Sequence, residues 1–388
     1  MSNNQPINPP SPAGTPSRRA LLRFGVVGAG AALVTVACGG GAKKVAETIT
    51  ANPTVTVGTT PGSTAVATAT ATSSPAASSG AASAQALVAV QSFLSTLDAT
   101  QKTSVLADRT QANLSKWSNL PDGAFQRAGI RMDTLSADQQ KAALAILAVV
   151  LSPEGYTQVE QITTADGVLA QSSGGGGAQF GADHYYIRFV GEPSATTPWT
   201  LQYGGHHLAV NVSLAGSKMT MAPTLWGSQP AFYALNGKDI EPLGGETRKA
   251  WALMSALDGS QQSAAVVANT RDLVLGAGQD GKTVAAAGVS ASTFTNAQKQ
   301  LLLELVQEWL RPLNAESVAS RMETAEGELD QITFAWNGTV AEGQQMYYRV
   351  QSPTAVIEFA HQSMGGDAVN HIHSIYREIG NDYGASFS

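Results

Sequence analysis

Four of the six histidines in the chain lie in two short segments, His206-His207 and His371-Ile372-His373. Residues i and i+2 of a β-strand point to one face, so His371 and His373 are expected side by side. Neighbouring strand residues point to opposite faces, so one of His206 and His207 is expected to face the site and the other to support it, unless Gly204-Gly205 forms a bulge. Imidazole nitrogens bind Zn, Fe, Cu and Ni. We therefore predict that the two segments converge on a centre for a divalent transition metal (Zn, Fe or Cu).

Two charged residues are candidates for catalysis beside the histidines. Glu358 lies in the otherwise apolar stretch Ala355–Phe359, where an unpaired charge is costly, so we interpret it as a metal ligand or a general base. Arg377 could bind a substrate carboxylate or phosphate through two hydrogen bonds. The competing interpretations are an ion pair of Glu358 with Arg377 or Arg349, a buried polar network without metal, and histidines that are surface residues.

Composition excludes some classes of function. The net charge is −6 and the sequence pI is about 5.5, and no basic stripe is present, so a nucleic-acid partner is not expected. Cys38 is the only cysteine, which excludes an intrachain disulfide and a site built from several thiolates. The expected partner is a small-molecule ligand or substrate.

The first 84 residues resemble an export signal followed by a flexible linker. Arg18-Arg19 precedes the apolar run 25–37, which is short for a membrane span and predicts a twin-arginine signal peptide over residues 1–38. Cys38 occupies the position of a lipidated cysteine; an ordinary cleaved signal with an incidental cysteine is the alternative. Residues 39–84 are rich in Thr, Ala, Ser and Pro and predict a disordered linker. The membrane is therefore expected as a partner only through this N-terminal lipid or signal segment, in a cell-envelope lipoprotein or a secreted protein.

Residues 85–388 are predicted to fold as an α+β domain. Helix-capping patterns at Asp98–Gln101 and Ser136–Gln139 recur at Asp258–Gln261 and Phe294–Gln298, about 160 residues later. A strand with two adjacent tyrosines follows each helical part. The spacing predicts two repeated halves, 85–245 and 246–388, each with a helical layer followed by antiparallel strands.

The chain resembles a known bacterial family, domain of unknown function 3500, over residues 85–384. One part of the resemblance lies in Pro198-Trp199, Gly205–Leu208, Ala222–Gly227 and Pro230; the other lies in Ile357–Phe359, Asn370–Ser374, Arg377 and Asn381–Gly384. The family pattern includes His206, His207, Glu358, His371, His373 and Arg377, but not His361, and Glu378 stands where an aspartate is usual. The resemblance implies secretion and a shared site, without an assigned activity.

Three functions are consistent with these residues. The first is an extracytoplasmic metal-dependent enzyme, hydrolytic or oxidative, with its site between the two halves. The second is a non-catalytic lipoprotein that binds a small ligand or a metal. The third is a structural cell-envelope lipoprotein whose histidines only pack.

Overall fold

The computed structural model describes residues 79–173, 179–268, 272–363 and 367–387, all within one compact unit, Thr72–Ser388. The predicted signal peptide and nearly all of the predicted linker lie outside the described residues, although the first helix already begins at Ser79. In the described parts of the chain the α-helices are α1 (Ser79–Ser95), α2 (Ala99–Val105), α3 (Gln111–Leu114), α4 (Ala137–Val150), α5 (Pro153–Ser172), α6 (Gly244–Ala256), α7 (Gly259–Ala265), α8 (Asn296–Leu310) and α9 (Ala315–Gly327). None of the described helices is long and apolar enough to cross a membrane.

The capping residues predicted from the sequence begin the helices as expected. Asp98, Ser136, Asp258 and Thr295 each accept a hydrogen bond from the backbone three residues on, and the glutamine at that position bonds back. A capping side chain contributes about 1 kcal/mol because it satisfies backbone N–H groups that have no partner in the helix. These four capping boxes are confirmed.

The strands alternate with these helices along the chain. They are β1 (Leu106–Ala107), β2 (Ile130–Arg131), β3 (Tyr186–Val190), β4 (Trp199–Gly205), β5 (Leu208–Ala215), β6 (Lys218–Thr220), β7 (Leu225–Ser228), β8 (Tyr233–Leu235), β9 (Lys238–Ile240), β10 (Val289–Ser290), β11 (Thr333–Gly338), β12 (Met346–Gln351), β13 (Ala355–His361) and β14 (Ile372–Glu378). Except for β8 and β9, which pair with each other, all belong to one mixed sheet of twelve strands. The α+β class is thereby confirmed, whereas the division into two repeated halves stays a prediction.

Strand β7 connects the two sides of this sheet. The main order is β1-β3-β4-β5-β7-β14-β13-β12-β11-β10, and β1 with β3 is a parallel pair in an otherwise antiparallel arrangement. Leu208 at the start of β5 is opposite Trp226, and His373 in β14 is opposite Gly227. Two adjacent residues of β7 therefore place the β4–β5 turn beside the beginning of β14.

The two faces of the sheet are covered differently. On one face the Tyr348 hydroxyl accepts a hydrogen bond from the Trp309 indole of α8 and donates to the Glu246 carbonyl of α6, so helices cover this side. On the other face, loop residues such as Trp117 and Leu275 pack with Ile375 of β14 in a smaller apolar cluster. His373 of β14 belongs to this loop-covered face, and His371 lies directly before the strand.

Candidate metal centre

His206 and His207 form the tight turn between β4 and β5 rather than part of a strand. Gly205 is paired with Leu208, which leaves only the two histidines to reverse the chain. His207 has φ 62°, in the left-handed region that non-glycine residues seldom occupy and that tends to be retained at functional sites. In this turn both rings are buried, and their residues are 7% and 1% exposed. The expectation that one histidine is a ligand and the other supports it stays a prediction.

Two glycines allow the chain segments to approach one another at this turn. A Cβ atom on Gly205 would lie 2.8 Å from the Tyr185 ring, and one on Gly227 would lie 2.6 Å from the Ile372 carbonyl oxygen. Both distances are shorter than van der Waals contact, so a larger residue would force the segments apart. The turn and β14 come together because neither position carries a side chain.

His371 and His373 project from the beginning of β14 to one face of the sheet, as the sequence predicts. The Nε2 atom of His371 lies 2.8 Å from His207 Nε2 and 3.1 Å from His373 Nε2. One N–H on His371 could satisfy one of these neighbours, whereas a single cation would accept all three lone pairs. Imidazole nitrogens that bind a tetrahedral Zn at about 2.05 Å are about 3.3 Å apart, close to the observed spacing.

Burial favours the neutral form of these rings. His207 has a pKa well below its usual range because burial removes water from its charged form, and the neighbouring histidines lower it further. The pKa of His373 is also well below its usual range, through burial and then through His371 and His206. Only neutral imidazole can bind a metal, and the lowered pKa values of His207 and His373 favour that form of both rings. The group fits a transition-metal ion.

His206 belongs to a neighbouring group. Its Nδ1 atom is 2.6 Å from Asp166 Oδ1 on α5, and its ring stacks between Phe180 and His207 at centroid distances of 4.8 and 3.6 Å. The buried Tyr185 hydroxyl donates to the His206 carbonyl at 2.8 Å. Asp166, His206 and His207 each have a possible ligand atom within 4.8 Å of the other two. His206 is therefore held from three sides.

Asn119 closes the site from a loop. Its carbonyl oxygen accepts a hydrogen bond of 3.1 Å from the His207 backbone N–H. Its side-chain nitrogen lies 3.3 Å from His373 Nε2. His373 and Asn119 are both partly exposed, whereas His207 and His371 are buried. The accessible side of the centre is thus formed by His373 and Asn119.

Glu358 does not join the histidines, although it shares their face of the sheet. Its Oε1 atom accepts hydrogen bonds from the Tyr347 hydroxyl at 2.6 Å and the Val274 N–H at 3.2 Å, and its Oε2 atom accepts one from the Leu275 N–H at 2.7 Å. The candidate metal groups among the described residues do not include it. These contacts secure a loop to the sheet.

Arg377 secures the same loop. Its guanidinium donates to the carbonyls of Leu275 and Gly276 at 2.7 and 3.1 Å, and forms ion pairs with Asp280 and Asp382 at 2.9 and 2.5 Å. It is four residues from His373, about 13 Å along the strand. In place of the ion pair that was the competing interpretation, Glu358 and Arg377 both contact the backbone of this loop.

Two residues of the site were not predicted from the sequence. Asp166 lies one helical turn after Ile162 on the buried face of α5, and a charged residue at that spacing among apolar residues was a usable signal. Asn119 has no such signal, because it lies in an irregular loop and its contacts depend on tertiary structure. His361 lies outside the site. Its Nδ1 atom accepts a hydrogen bond of 3.1 Å from the Met346 N–H, and it is absent from both candidate metal groups.

Comparison with known families agrees with the resemblance seen in the sequence. The chain matches the family described as protein of unknown function (DUF3500) over residues 79–385. It belongs to the DUF3500 family. This match includes every residue of the candidate metal centre, so the centre lies within the DUF3500 domain. No curated protein and no solved structure matches the chain.

Proposed function

We propose that this DUF3500 protein is an extracytoplasmic metal-dependent enzyme with a mononuclear centre held by His207, His371 and His373. The observation that carries the proposal is the convergence of three Nε2 atoms, with contacts of 2.8 and 3.1 Å, from segments more than 160 residues apart. Three protein ligands leave a further position for water or substrate, the arrangement typical of catalytic rather than structural zinc sites.

The ion would supply either a water of lowered pKa for hydrolysis or a redox centre for oxidation. The protein's own residues determine how a substrate reaches it. His207 and His371 are enclosed, so the substrate must approach from the partly exposed side of His373. The Asn119 side-chain amide, 3.3 Å from His373 Nε2, is placed to donate to or accept from a polar group bound there.

A non-catalytic metal-binding lipoprotein is the second candidate, and the burial of two of the three ligand residues favours it. His207 is 1% and His371 is 4% exposed. In that case Asn119 or another protein group would close the remaining position. The two candidates differ in whether an added small anion can reach the ion.

Cobalt-loaded protein tests this difference. An enzyme centre should show visible Co²⁺ absorption bands that change when azide is added, because azide occupies the open position. A centre closed by the protein should bind Co²⁺ but leave these bands unchanged by azide. The control is His184→Ala, which should bind Co²⁺ as the wild type does because His184 belongs to neither candidate metal group. Protein that binds no Co²⁺ would contradict both candidates.

The proposed location is the cell envelope or the exterior, reached by twin-arginine export. Arg18-Arg19 before an apolar run supports the route, and Cys38 supports lipid attachment. Replacing both arginines with lysine should leave the protein in the cytoplasm, and Cys38→Ala should release the exported protein from the membrane. Unchanged export of the first variant would contradict the route, and unchanged membrane attachment of the second would contradict lipidation.

A further inference from the structure

We propose that Asp166, acting through His206, is a positioning residue that raises the affinity of the three-histidine centre for divalent ions. This inference rests on the proposed metal centre, and concerns two residues that are not needed as ligands. In this proposal the Asp166 carboxylate compensates the charge of the bound ion. The His206 ring packs against the ligand His207 and keeps it in place.

The first argument is charge. Three neutral imidazoles leave the two positive charges of a bound ion uncompensated, and an uncompensated charge in a buried site is costly. Asp166 is 1% exposed and belongs to the neighbouring group, which shares His207 with the centre; its carboxylate lies within 4.8 Å of a possible ligand atom of His206 and of His207. A buried carboxylate in contact with the residues around a ligand attracts a dication, because little water screens it.

The second argument is orientation. Asp166 uses Oδ1 for His206 Nδ1 at 2.6 Å and Oδ2 for the Gly181 N–H at 2.9 Å, so the carboxylate is fixed on both sides. Gly181 follows Phe180, which stacks on His206, and lies four residues before Tyr185, whose hydroxyl donates to the His206 carbonyl. The His206 ring in turn packs against the His207 ring, with centroids 3.6 Å apart. The ring plane of the ligand is thereby fixed by a chain of contacts that begins at Asp166.

A second ion between Asp166, His206 and His207 is the competing interpretation. The His207 Nδ1 atom is buried and has no hydrogen-bond partner among the described residues, which would suit such an ion. However, the His206 and His207 rings are tilted by 32° with centroids 3.6 Å apart. The His206 Nδ1 atom already has Asp166 Oδ1 as a hydrogen-bond partner at 2.6 Å, which satisfies both groups without an ion. The geometry favours hydrogen bonding of His206 to Asp166.

A titration with Co²⁺ separates these interpretations. Metal-free full-length protein is titrated as wild type, Asp166→Asn, His206→Phe and Glu308→Gln. Glu308 is a matched control because it is a carboxylate of 8% exposure that is paired with Lys249 at 2.5 Å on the helical side. We expect one Co²⁺ per chain throughout, with a Kd raised 10- to 100-fold in Asp166→Asn and His206→Phe and unchanged in Glu308→Gln.

Several results would overturn the inference. Two ions in the wild type and one in Asp166→Asn would show that Asp166 is a ligand of a second ion. One ion with unchanged Kd in Asp166→Asn and His206→Phe would remove the positioning role while leaving the metal centre intact. No binding by the wild type would overturn the metal centre itself and this inference with it. His206→Phe retains an aromatic ring for the stack, so it provides the measurement if Asp166→Asn does not fold.

Copper distinguishes a charge effect from a purely structural one. Loss of the Asp166 charge should weaken binding of Cu²⁺ about tenfold more than binding of Cu⁺, because the divalent ion gains more from a nearby carboxylate. This difference corresponds to a rise of about 59 mV in the Cu²⁺/Cu⁺ potential of Asp166→Asn. Equal weakening for both ions, with an unchanged potential, would contradict charge compensation.

Discussion

His207 Nε2 lies 2.8 Å from His371 Nε2, although 164 residues separate the two in the chain. The contact exists because β7 pairs with β5 on one side and with β14 on the other. The turn that carries His207 is short and strained. His371 lies directly before β14 and His373 lies in this strand, so both are close to the turn. A metal centre at this position would therefore join the two sides of the twelve-stranded sheet.

Glu358→Gln is expected to destabilise the protein without changing its metal content. The carboxylate accepts three hydrogen bonds, two of them from backbone N–H groups of a loop, while being 0% exposed. A glutamine would direct an N–H group at one of these donors, and leaving buried donors without acceptors costs about 2–3 kcal/mol. Urea unfolding measures the loss, and elemental analysis measures the metal. Loss of metal at unchanged stability would instead support Glu358 as a ligand.

Arg377→Met is expected to cost about 3–5 kcal/mol of folding free energy, because it leaves Asp280 and Asp382 without their cation in a largely buried network. Arg248→Met provides the control, since Arg248 and its partner Glu241 are largely exposed; such surface pairs contribute about 0–1 kcal/mol. Both variants are compared by denaturant unfolding. Similar small effects in the two variants would show that Arg377 does not hold the loop.

Glu246 makes stability depend on pH. Burial raises the pKa of this carboxyl from 4.5 to about 7, and its Oε2 atom has no hydrogen-bond partner among the described residues. Between these pH values the folded protein keeps a proton that the unfolded chain has released, so this contribution to stability is present below about pH 4.5 and decreases as the pH rises through about 7. The full decrease is on the order of 3 kcal/mol.

Glu246→Gln should remove this dependence. The variant is expected to be more stable than the wild type at pH 8 and equally stable or less stable at pH 5, where the wild-type carboxyl is protonated. Thermal unfolding of both proteins from pH 5 to 8 measures the difference. A constant difference across this range would show that Glu246 does not titrate between pH 5 and 8 in the folded protein.

The local elements of this fold could be predicted from the sequence because their signals are local. Asp98 and Gln101 form a capping box through contacts three residues apart, and His371 and His373 share a face because strands repeat every two residues. The conformation of His206-His207 could not be predicted in this way. A pair after two glycines fits both a strand and a turn, and the choice is made by the pairing of Gly205 with Leu208.

The partners of the charged residues depended on tertiary structure. Glu358 was correctly expected to need a partner, but backbone N–H groups of Val274 and Leu275 meet that need, and no sequence pattern marks a loop backbone as an acceptor's partner. Asp166 was missed for the related reason that its histidine is 40 residues away. For Glu358 the sequence pattern thus identified a side chain that is costly to bury, and the fold determined what satisfies it.

The metal content of protein purified after its natural export tests the central claim most directly. Elemental analysis of the wild type, the His371→Ala/His373→Ala double variant and the control His361→Ala gives the number of ions per chain; His361 is a buried histidine outside both candidate metal groups. We predict about one transition-metal ion per chain in the wild type and in His361→Ala, and almost none in the double variant. A folded wild type without metal, or a double variant with undiminished metal, would contradict the three-histidine centre.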